Sequence, residues 1–98
     1  MPYIKQQDRE KFEEVLNHFD KNAPYDDYTD TPFVKIESCG ELNYLFSMLS
    51  KFYIEQNGEN YQRYNDIVGA LEGAKLELYR RQISKYEDKK ISENGDVF

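Results

Sequence analysis

The stretch that decides the fold is residues 60–85, NYQRYNDIVGALEGAKLELYRRQISK. Within it Tyr64, Ile67, Val68, Leu71, Leu78, Tyr79 and Ile83 recur at the spacing that lines one face of an α-helix. The pattern predicts one long helix over roughly 60–85, with Ala74 as a small contact in the same stripe. Gly69 and Gly73 interrupt it, and each glycine costs about 1 kcal/mol against alanine in a helix interior. Close approach of another backbone is the usual compensation, either from the preceding helix of the same chain or from a second copy across a two-fold axis. Glu72 and Lys75 exclude the membrane version of that contact.

Working outward, Ser38-Cys39-Gly40-Glu41 reads as a capping box, with Ser38 as the N-cap and Glu41 reaching back. The helix behind it carries Leu42, Leu45, Phe46, Met48, Leu49, Phe52 and Tyr53 at helical intervals. Asn57-Gly58 ends it with a left-handed cap. Its apolar content predicts the best-buried helix. Residues 8–20 form a first helix, capped by Asp8, with Phe12, Val15, Leu16 and Phe19 as its stripe and three glutamates favouring its first turns. Pro24 and Pro32 bound a Tyr/Asp-rich loop at 22–31. Phe33-Val34-Lys35-Ile36 is either a short strand or an extended packing segment. After residue 85, Tyr86–Ile91 either continues the long helix or turns away. Asn94-Gly95-Asp96 signals a turn, and the closing Val97 and Phe98 predict a tail folded back on the body. The expected fold is mostly all-α and spans residues 1–98 as a single small domain. It is a three-helix arrangement built on a helical hairpin, with one irregular loop and a C-terminal tail.

Ninety-eight residues supply one modest core. The net charge of −6 argues against a general phosphate-backbone binder. That charge is uneven: residues 1–58 balance to −5, with 6 basic and 11 acidic side chains, and residues 59–98 to −1, with 7 and 8. An anion site therefore belongs in the second half. One cysteine, Cys39, rules out an internal disulfide and a cysteine-based zinc site. There is no apolar run of membrane length and no signal-peptide core near the start, so the expected location is the cytoplasm.

The chemistry concentrates at the end of the long helix. Arg80 and Arg81, followed by Lys85, Lys89 and Lys90, alternate with Tyr79 and Tyr86. Guanidinium forks bind phosphate or carboxylate in pairs of bonds, and tyrosine rings stack on bases. The ordinary alternative is a solvated helix end, with Glu77 pairing to Arg81 four residues on and basic residues complementing the dipole. Asn65 and Asp66 either fix helix packing or face a ligand. His18 has no partner at a spacing that makes a triad, and Cys39 reads as an inert helix-start residue. Asp26, Asp27 and Asp30 lack the glycine and distal glutamate of a calcium loop. No catalytic, metal or cofactor site is expected.

The segments Gly40–Leu45, Asn65–Glu72, Lys75–Arg81, Tyr86–Ile91 and Asn94–Val97 together resemble an uncharacterised family of small proteins of bacteria and their phages. Phe98 stands where that resemblance expects a tyrosine. The resemblance implies a setting in which small helical phage proteins act as oligomeric sponges for nucleotide messengers of host immunity. The expectation is thus a non-enzymatic, homo-oligomeric binding protein. It would hold an anionic nucleotide through Asn65, Tyr79, Arg80, Arg81, Tyr86 and Lys90, without a cofactor, a membrane or general nucleic-acid binding. The alternative is a protein-interaction module that inhibits a host protein through the 22–31 loop.

Overall fold

The computed structural model of the protein describes residues 4–22 and 33–98. It is mostly all-α, with no strand among the described residues. The chain divides into two compact units between Phe52 and Tyr53.

In the first unit, the helix expected at 8–20 is realised in pieces: α1 (Gln6–Arg9), a 3₁₀ turn (Glu10–Phe12) and α2 (Glu13–Asn17). Asp8 is not its cap. It lies inside α1 and donates its N–H to the Lys5 carbonyl at 2.9 Å. Pieces of four and five residues are far below the ~12–15 that an isolated helix needs, so packing must hold them. Phe12, Val15 and Leu16 nonetheless stay 45%, 58% and 60% exposed. The Val34 N–H donates to the His18 carbonyl at 2.7 Å and ties 33–37 to the end of α2. One bond is no ladder, so Phe33–Ile36 is an extended segment and not a strand. The loop from residue 23 to 32, with its prolines and aspartates, lies outside the described residues.

The capping box forms. Ser38 Oγ accepts the Glu41 N–H at 3.1 Å, and the Glu41 carboxylate accepts the Glu37 N–H at 2.8 Å. It starts α3 (Cys39–Asn57), which Gly58 ends at φ +93° with its N–H on the Ile54 carbonyl. A Cβ at that φ is strained, which is why glycine sits there. α3 is not well buried: Leu45, Met48, Tyr53 and Ile54 are half-buried, while Leu42, Phe46, Leu49 and Phe52 remain exposed. None of the described residues is fully buried. An apolar stripe specifies which face seeks cover, and it does not specify what supplies the cover.

In the second unit, Asn60 caps α4 (Tyr61–Leu78), its side-chain oxygen accepting the Arg63 N–H at 2.8 Å. The short connection from α3 is closed by Tyr53, whose hydroxyl donates to Asp66 at 2.8 Å. α4 does not end at 85. It passes through a π turn (Tyr79–Ile83) into α5 (Ser84–Asn94), so Tyr86–Ile91 continues the helix. Gly95 ends it at φ +88°, with its N–H on the Ile91 carbonyl at 2.8 Å. Beyond it the Phe98 N–H bonds to Asp96, and Val97 and Phe98 are 88% and 112% exposed. The expected fold-back of the tail is therefore corrected. Helix continuation to Asn94 uses up the residues that would have formed the return.

Candidate ligand site at the π turn

A π turn inserts one residue into a helix and breaks the i→i+4 ladder, so it persists mostly where something compensates it. Here the Ser84 N–H reaches back five residues to the Tyr79 carbonyl. The Arg80 carbonyl, which would have taken that N–H in a regular helix, accepts the Ser84 hydroxyl at 2.9 Å instead. Ser84 thus satisfies both carbonyls of the widened turn.

Tyr79, Arg80 and Arg81 are consecutive residues of this turn. Arg80 Nη2 donates to both oxygens of Glu77, at 3.0 and 3.3 Å, and Arg81 Nε lies 3.9 Å from the same carboxylate. Two guanidinium groups therefore share one anion. The arginine side chains are 66% and 58% exposed, and that of Glu77 is 27% exposed. The ordinary Glu77–Arg81 pairing expected from spacing is present, and Arg80 joins it. Tyr79 and Tyr86 are half or more exposed, two turns and about 10 Å apart along the axis. Lys90 Nζ sits 5.4 Å from the Tyr86 ring centroid and 3.4 Å from Glu93. Across Glu77–Asn94 five basic side chains meet four acidic ones, a slight excess of cation in a chain of net −6. Such a surface attracts a phosphate or carboxylate and offers two rings for stacking.

Five of the six residues expected to bind ligand fall in this region. Asn65 does not. It lies fourteen residues before Tyr79 on the helix, about 21 Å along its axis. Its neighbour Asp66 has a separate structural role, half-buried and accepting from Gln62 at 2.7 Å and from the Tyr53 hydroxyl at 2.8 Å. Those two bonds, in that order, hold its carboxyl below the usual aspartate range, and the nearby Arg63 charge assists. Tyr64 donates to Glu59 at 2.5 Å, and that bond pushes its phenol upward. His18 is half-buried, and Cys39 is exposed at the start of α3. Among the described residues no cluster of three metal-ligating side chains exists, and no helix is long and apolar enough to cross a membrane.

The fold and this region define a small, mostly α-helical protein with a basic, tyrosine-bearing π turn. The chain belongs to the family described as Domain of unknown function (DUF6899), whose model matches residues 1–97. No curated protein and no solved structure matches it significantly.

Proposed function

We propose that the protein is a non-enzymatic binding protein that captures a small anionic ligand, a nucleotide, at the π turn, between copies of the chain. The observation that carries the proposal is the coincidence of the π turn with Tyr79, Arg80 and Arg81, where two guanidiniums share one carboxylate. The arginine pair would bind the ligand's anionic group, with Tyr86 and Lys90 supplying a stacking face and a further cation. On the analogy with small bacterial and phage proteins, this capture would serve in host defence, with the protein as a cytoplasmic sponge for a nucleotide signal. Asn65 enters such a site only from another copy, given its distance along the helix. The exposed Phe12, Val15 and Leu16 favour a second reading, an interaction module that blocks a host protein.

The test is a melting-temperature screen against a nucleotide panel. Ligand at 100 times its dissociation constant adds about 2.7 kcal/mol, a shift of several degrees for a domain of this size. The Arg80→Ala/Arg81→Ala variant should lose that shift. A panel that moves neither protein turns the balance to the interaction-module reading.

A further inference from the structure

Two Asn-Gly pairs stand in the chain, Asn57-Gly58 and Asn94-Gly95. In this dipeptide the glycine has no side chain to shield its backbone nitrogen, and the asparagine amide carbon lies within its reach. Each pair ends a helix, α3 and α5, with the glycine at φ +93° and +88°. Each glycine N–H is held by the carbonyl four residues back, that of Ile54 at 2.7 Å and that of Ile91 at 2.8 Å. The backbone treats the two pairs alike.

Their surroundings do not. Asn57 Nδ2 donates to the Tyr53 carbonyl at 2.9 Å, which turns its amide back along α3. The same tyrosine is anchored through its hydroxyl on Asp66 at 2.8 Å. Asn60 caps α4 two residues beyond Gly58, so both sides of this glycine are fixed. Asn94 is exposed, and its side-chain amide bonds to no described residue. One backbone bond closes α5 at Gly95, and no helix follows it among the described residues. A helix end of that kind opens at lower free energy than a turn clamped between two helices. Chemistry on a briefly opened backbone tracks the population of the open form.

We infer that Asn94-Gly95 is a site of spontaneous modification, at which Asn94 is converted to aspartate and isoaspartate while Asn57-Gly58 is protected. The Gly95 nitrogen loses its proton to solvent and attacks Cγ of Asn94. The N–Cγ bond forms, the Cγ–Nδ2 bond breaks, and ammonia leaves after taking up a proton from solvent. Water then opens the cyclic imide at either carbonyl, giving aspartate or isoaspartate. The sum is amide plus water to acid plus ammonia, with nothing oxidised or reduced.

The product puts a carboxylate where the last carbonyls of α5 already concentrate negative partial charge. It stands beside Glu93 and four residues after Lys90, the neighbouring position on that face. Isoaspartate also lengthens the backbone by one carbon, so the Gly95 N–H loses its register with Ile91. The last turn of α5 therefore loosens. None of this depends on the π turn binding a nucleotide.

The experiment incubates the full-length chain at mildly alkaline pH, then digests it at successive times for mass spectrometry, with fragmentation that separates isoaspartate from aspartate. Residue 94 should convert at least about tenfold faster than residue 57, with isoaspartate among the products. In guanidinium chloride the two pairs should convert at rates within about threefold, because the protection of Asn57 is structural. Equal rates in the folded chain overturn the inference, and so does faster loss at Asn57. An Asn94 that stays intact while both pairs convert in denaturant also overturns it, since the Ile91 bond then keeps the helix end shut. A difference that persists undiminished in denaturant overturns it by assigning the preference to neighbouring residues instead of the fold. Aspartate without isoaspartate rules out the imide.

Discussion

Gly69 offers the cleanest perturbation of the long helix. It lies in the interior of α4 at a helical φ, and a Cβ built on it meets no atom within 4 Å. The close backbone approach that sequence alone suggests as its compensation is therefore not made by the other described residues. Gly69→Ala should recover the propensity difference and stabilise the protein by up to about 1 kcal/mol. For a chain of this size that corresponds to roughly 4–8 °C in Tm, read by circular dichroism at 222 nm. Gly58→Ala is the internal control. At φ +93° the added Cβ is strained whatever the space around it, and Tm should fall by an amount corresponding to about 1–2 kcal/mol. A Gly69→Ala variant that melts lower than wild type would refute this reasoning. It would mean that another backbone, from a second copy, packs against the glycine itself.

Other expectations follow from the same contacts. Ser38→Ala removes the hydroxyl that accepts the Glu41 N–H and should cost about 1 kcal/mol in urea unfolding; a loss under a few tenths would mean that α3 starts elsewhere. Asp66 has a folded pKa below its ordinary 3.8, so its stabilising contribution is full above that value and fades as pH falls through the lower folded one. Tyr53→Phe removes one of the two bonds responsible, and it should move the acid edge of the stability profile upward; an unchanged edge would assign that edge to other carboxylates. Arg80→Ala with Arg81→Ala breaks ion pairs whose arginine side chains are 66% and 58% exposed, and pairs of that exposure are worth about 0–1 kcal/mol. It should therefore melt close to wild type in the absence of ligand.

The parts of the fold that were legible in sequence are those fixed by local chemistry. Ser38 with Glu41 and Asn57 with Gly58 bracket α3 where spacing placed them, because a cap is decided within four residues. The π turn was not legible as such. The step from Tyr79 to Ile83 is the four residues of a regular turn, so the apolar spacing carries no trace of the insertion. Spacing does not decide the helix end at residue 85: the polar residues beyond it fit either continuation or departure, because a solvated helix needs no apolar stripe on every turn. Burial failed most plainly at α3 and at Val97 and Phe98, because hydrophobicity along the chain does not say which surface covers it. At the candidate site, Arg80, Arg81 and Tyr79 stand out by composition, and the Glu77–Arg81 pair follows from i,i+4 spacing, whereas the Arg80 bonds to the same carboxylate were not read from sequence. Asn65 was grouped with them although helix rise alone separates it by about 21 Å.

The measurement closest to the central claim is isothermal titration of the wild type and of the Arg80→Ala/Arg81→Ala variant with mono-, di- and cyclic nucleotides, at low and at physiological salt. The account expects at least one nucleotide to bind the wild type with saturable heat, more weakly as salt rises, and to bind the variant not at all. Binding that survives loss of both arginines, or a wild type silent to every nucleotide at both salt concentrations, would contradict it.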